Sequence, residues 1–517
     1  MLSFNTEDIR TALRDISGMF RTLSIVFLIP LPVAIYYILV NDFYGGTLAL
    51  EHTFNLLGST SLSEAADLIL SIVSRCLVFL TPAFLSYLVY SFLKNIPPQS
   101  STKTKHVIIS VSIIWLSISI IGTLPYILSG TLGPLDALFE SMSGWSTTGL
   151  TLMHDLDATP RDMLFYRSLT QWLGGLGIVF IALTIFVRKG STATVYYSSE
   201  KGDRRIKPSV RGTVIEIWKI YSVYTLLCMI LFYVAGMGLF DALTHSFTSV
   251  STGGFSTHDA GLGFFQDKPF IAPVAMLFML VGSISFYVHF RLFELNPRSL
   301  LENIEFRYMA TLIILATLTL TVLIPLKDPV KALNAPLDAA FQCVSAMTTS
   351  GYSISDVSKW SELSQMILIM LMYVGGFYGS TAGGIKILRL IVIASVILYS
   401  LRKMMLPKTA ILRMKIGASP IDDEEVFNVL GFSMAYLGIL ILGTMLLMSE
   451  FSTIQALFIS ASALGNSGLN NVPADKWLEL SDASKLVITG LMWIGRLEVL
   501  PVLILLASLF TRRRGVR

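Results

Sequence analysis

The 517-residue chain is 53% hydrophobic and only 14% charged, with a formal net charge of +4. A soluble globular protein carries about 25% charged residues, so this composition excludes an ordinary water-soluble enzyme or binding module. Apolar runs of about 20 residues, enough to cross a ~30 Å hydrocarbon core, recur along the whole sequence.

The opening MLSFNTEDIRTALRDISGMF is mixed-charge and lacks a cleavage-site pattern, so the apolar run near 22–40 reads as a retained helix rather than a signal peptide. A second run spans 67–93. Between them, residues 41–66 hold no Lys or Arg, only Asp42, Glu51 and Glu64. Residues 188–211 hold seven Lys/Arg, residues 386–415 hold seven more, and the chain ends TRRRGVR. The positive-inside rule predicts cytoplasmic termini and cytoplasmic basic loops. Each basic cluster reads as a topogenic, solvated loop, with docking of a cytoplasmic partner as the additional possibility. Cys76, Cys228 and Cys343 lie far apart with no CxxC or His/Cys cluster, which suggests neither a disulfide frame nor a metal site.

From residue 101 onward an internal repeat dominates. DALFESMSGWSTTGL (136–150), DALTHSFTSVSTGGF (241–255), DAAFQCVSAMTTSGY (338–352) and QALFISASALGNSGL (455–469) align without gaps. Asp136, Asp241, Asp338 or Gln455 stands 13 positions before Gly149, Gly254, Gly351 or Gly468. Each copy lies between two apolar runs: 105–129 and 161–187, 214–237 and 270–290, 307–325 and 364–400, 427–449 and 484–510. The predicted fold is an all-α polytopic membrane protein of four helix–pore-loop–helix repeats around a pseudo-fourfold axis, preceded by two extra transmembrane helices. The division is 1–100 for the N-terminal pair, then 101–200, 201–300, 301–405 and 406–517 for the repeats.

The roughly 11 residues from the Asp or Gln to the filter are too few to span a bilayer and suit a half-crossing helix ending in extended backbone. Such backbone is tolerated at membrane depth only where protein buries it or water reaches it. Four such loops around one axis would present a ring of carbonyl oxygens able to replace the hydration shell of a monovalent cation. Glycine relieves the backbone strain this requires, and the half-helix C-termini add partial negative charge. The alternative, that these small residues only allow close helix packing, explains one copy better than four in register.

Within the third repeat, GGFYGSTAGGIK (375–386) interrupts a run of about 35 residues, which as one helix would reach ~52 Å and overshoot the membrane. The run must break there, either as a loop that blocks or admits ions beneath the filter or as a passive kink. Arg496 lies deep in the last apolar run, where an unpartnered charge is costly. It is expected to face the cavity under the filter, near the hinge, as a tether for the loop or a barrier to cations. Glu498, two positions on, is a poor helical partner for it; an ion pair with a neighbouring helix is the other possibility. No HExxH, GxSxG or paired helical carboxylates support a membrane enzyme. His245 and Glu140, within two half-helices, are explained more simply by packing or pore-mouth electrostatics. A cation secondary transporter, coupled to H+ or Na+, is the runner-up, although such proteins usually show two inverted repeats.

The filter loops, QWLGGLGI (171–178), GSTAGGIK (379–386) and IGRLE (494–498) together resemble the Trk/Ktr/HKT superfamily of potassium transporters, and the two extra helices resemble its TrkH-like branch. The resemblance covers nearly the whole chain. It implies that K+ is coordinated by Thr147, Thr148 and Gly149; Thr252, Gly253 and Gly254; Thr349, Ser350 and Gly351; and Asn466, Ser467 and Gly468. The fourth copy departs most from the pattern, and glycine in all four resembles the potassium-selective members. The resemblance also implies an intramembrane gate built from Gly375, Gly376, Gly379, Ser380, Thr381, Ala382, Gly383, Gly384 and Lys386, with Arg496 beside it. It implies a homodimer in the cell membrane and cytoplasmic TrkA-like regulatory subunits, which would bind the nucleotide, ATP/ADP or NAD(H). No covalent cofactor is expected in the chain itself. Membrane lipid is the remaining expected contact, and nothing points to nucleic acid.

Overall fold

The computed structural model describes residues 10, 13–14, 16–38, 62–97, 104–185, 210–327, 333–407, 414–416 and 419–511. The basic stretch 188–209, residues 41–61 and the basic tail from 512 lie outside the described residues. Apart from one two-residue antiparallel pairing, Lys415–Ile416 with Ser419–Pro420, every regular element among the described residues is a helix. Helices satisfy their own backbone groups, which is what a lipid surround demands.

The helices Ser17–Val26, Leu31–Tyr37 and Leu62–Leu93 form the N-terminal pair of crossings, the first interrupted near Pro30. Phe20, Phe27 and Phe79 pack this pair against Tyr126, Trp145 and Tyr166 of the first repeat. The repeats then follow in order, each as outer helix, pore helix and inner helix. The outer helices are Thr104–Ile121 with its short extension Leu124–Leu128, Val210–Val234, Ile304–Lys327 and Asp423–Leu447. The pore helices are Pro134–Trp145, Leu239–Val250, Ala335–Met347 and Thr453–Leu464, each 12 or 13 residues long. At 1.5 Å per residue that is about 18 Å, or half a crossing.

Leu315, Leu318, Val322 and Leu326 recur at helical spacing along Ile304–Lys327 and are all more than half exposed. An apolar stripe turned outward suits contact with lipid tails. Six spans qualify as membrane crossings on length and composition, and eight do if each sharply bent pair is one span. The long helix Arg161–Ile185 and the interrupted helix Glu362–Val374 with Ile387–Met405 complete the ten helical elements expected.

The inner helices differ from expectation. Only the third was predicted to break, and it does: it stops at Val374 and resumes at Ile387. The second also breaks, between Ile271–Ser283 and Phe286–Phe293, with a bend of 105°. The fourth bends by 110° between Asp482–Arg496 and the segment from Leu500. Arg496 is therefore the last residue of its helix rather than a mid-helix residue. The cause is a left-handed turn at Glu498 (φ 55°) and Val499 (φ 62°), a backbone state costly for side chains with a Cβ and held only where surrounding contacts over-determine it.

Candidate functional site

Each pore helix begins with a residue that its N-terminus favours. Asp136, Asp241 and Asp338 occupy first turns, where the helix dipole stabilises a carboxylate. Gln455 completes a capping box with Ser452. Asp136 also pairs with Lys485 of the fourth inner helix at 2.5 Å.

At the other end the four chains turn alike. Thr147, Thr252, Thr349 and Asn466 have φ of 53°, 54°, 53° and 50°, and Gly149, Gly254, Gly351 and Gly468 have 91°, 80°, 77° and 86°. The amides of Thr148, Gly253, Ser350 and Ser467 donate to Ser143 O, Thr248 O, Ser345 O and Ser462 O at 2.8–3.0 Å. Asn466 thus adopts the backbone of the threonines it replaces.

The four segments also meet. A Cβ placed on Gly149 would strike Gly253 O, one on Gly254 would strike Ser350 O, one on Gly351 would strike Ser467 O, and one on Gly468 would strike Thr148 O. Each glycine abuts the carbonyl of the next repeat, and the fourth returns to the first. The ring is closed. Glycine is therefore needed twice over, for its positive φ and for the approach of the neighbouring main chain.

Behind the ring, one pore-helix position straps the loop to its own return segment in three of the four repeats. Glu140 accepts from Thr151 Oγ1 at 3.0 Å and from Leu152 N at 3.1 Å. His245 Nε2 meets Ser256 Oγ at 3.0 Å, and Gln342 Nε2 donates to Ser353 Oγ at 2.5 Å. These are the equivalent residues of the first three repeats; the fourth has Ile459 there. Asn466 instead donates sideways to Thr148 Oγ1 at 2.9 Å and Met492 O at 3.0 Å. Arg167 completes the first strap. It pairs with Glu140 at 2.8 Å, donates to Ser256 O at 3.0 Å and lies 4.1 Å from the Phe255 ring centre. Aligning the copies would have exposed this position, since Glu140, His245 and Gln342 share one register.

The segment 375–386 packs directly under the ring. Gly383 N donates to Thr349 Oγ1 at 2.7 Å, Gly384 N to Gly465 O at 3.1 Å, and Thr381 Oγ1 lies 3.2 Å from Thr252 Oγ1. Gly375, Gly379, Gly384 and Lys386 carry φ of 72–78°. A Cβ on Gly376 would crowd Ala382 Cβ, and Ser380 Oγ turns back to Phe377 O. Lys386 Nζ donates to Ala382 O, closing the loop on itself. Arg496, 2% exposed, donates to Thr381 O at 3.1 Å and to Gly174 O at 2.6 Å. Among the described residues no carboxylate lies within ion-pair distance of it. Glu498 pairs with Arg389 instead, at 2.5 Å, and the Arg389 guanidinium sits 3.8 Å from the Phe432 ring centre. This last pair is not legible in the sequence, because its members are 109 residues apart.

Among the described residues no group of three or more His, Cys, Asp or Glu is arranged to hold a metal ion. The ring offers neutral oxygens, the ligand set suited to a weakly held monovalent cation.

Residues 78–512 match the family described as TrkH, cation transport protein. An uncharacterized cation transporter of Methanocaldococcus jannaschii is 31% identical over 98% of this chain and 96% of its own length. The Trk system potassium uptake protein TrkH of Escherichia coli is 32% identical over 81% of this chain and 88% of its own. The crystal structure of the potassium transporter TrkH from Vibrio parahaemolyticus superposes with a TM-score of 0.80 at 27% identity, over 97% of this chain and 99% of that one. This chain is a multi-span membrane protein and belongs to the TrkH family of cation transport proteins.

Proposed function

We propose that the chain is the potassium-translocating subunit of a Trk-type uptake system and that K+ passes through the ring of Thr147–Gly149, Thr252–Gly254, Thr349–Gly351 and Asn466–Gly468. The observation that carries this reading is the closed cycle of glycine-to-carbonyl contacts, which gathers main-chain oxygens of four repeats at one place. The four pore-helix C-termini end there and favour a cation. Potassium is carried over from the names of the curated relatives. The segment 375–386 acts as the gate, and Arg496 tethers it through Thr381 O and adds a positive barrier below the ring. Two copies of the chain assemble in the cell membrane with both termini in the cytoplasm. They are controlled there by nucleotide-binding TrkA-like subunits.

The test is flux through the purified full-length protein in liposomes. K+ is expected to move down its own gradient, well ahead of Na+, and Arg496→Gln to raise that flux several-fold. Flux that demands an H+ or Na+ gradient would establish the coupled-transporter reading instead. Unchanged flux in a well-folded Arg496→Gln protein would remove the gate from the account.

A further inference from the structure

The filter residue before each ring glycine is Thr148, Ser350 or Ser467 in three repeats, but Gly253 in the second. Its backbone does not require glycine, because Gly253 is absent from the residues of positive φ. The space is taken by another residue. A Cβ on Gly253 would lie 2.5 Å from Gln171 Cδ and 3.0 Å from Gln171 Cβ, and would collide with Oε1.

Gln171 is fully buried on Arg161–Ile185, the one described inner helix without a break. Its Oε1 accepts from Phe255 N at 3.0 Å, which fixes the amide orientation, and its Nε2 then donates to Gly253 O at 2.7 Å. Small residues bring the helix this close. A Cβ on Gly174 would strike Trp145 O, and one on Gly175 would lie 2.9 Å from Ser251 Cβ. Gly253 O is one of the four ring carbonyls. Among the described residues no side chain donates to its counterparts Thr148 O, Ser350 O and Ser467 O.

We infer that Gln171 is a selectivity-determining positioning residue: an amide from the first repeat takes the place of the missing side chain in the second and sets the direction of one ring carbonyl. This rests on the reading of the ring as the ion path. A donor on one oxygen restrains its swing toward a smaller ion and draws off part of its field, so the ring is not electrostatically fourfold.

The test is K+ and Na+ flux through full-length protein in liposomes. Gln171→Leu keeps the volume but leaves Gly253 O and Phe255 N unpaired. The K+ preference should fall by about tenfold, the scale of one lost buried hydrogen bond, while K+ flux persists. Gly253→Ser alone should lose flux by collision with Gln171. Combined with Gln171→Ala, the same serine has room, and the preference should rise above that of Gln171→Ala alone. Wild-type preference in Gln171→Leu would overturn the inference while leaving the pore reading intact. So would a double variant no better than Gln171→Ala. If Gln171→Leu does not fold, the double-variant comparison decides. A wild-type protein that passes no potassium would overturn the pore reading, and this inference with it.

Discussion

The ring and the helices beneath it come from the same fourfold repeat, yet they have kept its symmetry to different degrees. The four filter segments agree in dihedral angles, in amide partners and in the carbonyl each glycine meets. The four inner helices agree in almost nothing: one is continuous, two bend by 105° and 110°, and one opens into a 12-residue loop. A ring constrains every member through its neighbours, because a change in one loop moves the carbonyl against which the next is packed. The inner helices meet no such cyclic condition. Several charged and amide side chains, Arg496, Lys386, Arg389, Glu498 and Gln171, sit on them or at their breaks.

The largest effect is expected where an inner helix reaches the strap behind the ring. Arg167 and Glu140 are 1% and 0% exposed at their side chains, so removing one partner strands the other without water. Arg167→Met should cost about 3–5 kcal/mol, the usual scale for a broken buried pair, read as a fall in the thermal unfolding midpoint of the detergent-solubilised protein. The corresponding strap in the third repeat is neutral, so Gln342→Met should cost clearly less, nearer the 1–3 kcal/mol of an unsatisfied neutral group. Equal losses would show that the first strap owes nothing to its charge.

The ring itself supplies the next test. In Gly351→Ala the added methyl must take φ 77° and meets Ser467 O. Left-handed backbone costs about 1–2 kcal/mol and overpacking about 1–3 more. If that strain of roughly 3 kcal/mol falls on the permeation step, K+ flux drops about a hundredfold. Gly438→Ala, on an outer helix with nothing within 4 Å of the new Cβ, should leave flux unchanged. The same loss is expected at Gly149, Gly254 and Gly468; one tolerant position would show that the ring is not closed.

What the sequence disclosed follows the same division. The repeat and its glycines were legible because four copies under one constraint kept one pattern. The break at 375–386 was legible because glycine marks it. The break at 284–285 was not, since Ile284 is an ordinary residue within an apolar run; the break at 497–499 carries one local signal, Pro501, which disfavours helix in the residue before it. Those breaks are held from a distance. Phe377 N donates to Ser283 O, Phe286 N donates to Gly379 O, and Arg389 pairs with Glu498. Arg496 stands at a helix end and not in mid-helix because the chain turns left-handed just after it, and Pro501, five residues on in the same apolar run, is a local sign of that end. Gln171 was visible only as part of QWLGGLGI; its role appears when Gly253 is found lying against it.

The smallest effect distinguishes the segments that leave the ring. In the first two repeats these are joined by a titratable contact. His258 Nδ1 meets Asp157 Oδ1 at 2.5 Å, and its Nε2 lies 3.7 Å from Asp241 Oδ1. Asp259, His245 and the stacked Phe264 ring surround the contact. In the last two repeats the fourth such segment is tied to the third inner helix by a neutral amide pair, Asn471 to Gln365 at 2.8 Å. Burial alone would lower the His258 value, but the nearby charge of Asp241 and the hydrogen bond and charge of Asp157 outweigh it and hold the imidazole above its ordinary range. A raised folded-state value means the contact contributes in full below the unfolded histidine value of about 6.5 and is lost as pH rises through the folded one. Asp157 is held below its ordinary range, chiefly by its hydrogen bond to His258, so it stays ionised across that window. Because the contact is partly exposed, its contribution is about 1 kcal/mol or less. The wild-type unfolding midpoint should therefore fall slightly between mildly acidic and mildly alkaline pH, by about a degree or two. His258→Gln should remove that slope, whereas Asn471→Ala should shift the midpoint equally at every pH. If the slope survives in His258→Gln, the pH dependence belongs to other groups, and the two pairs of repeats differ here in geometry alone.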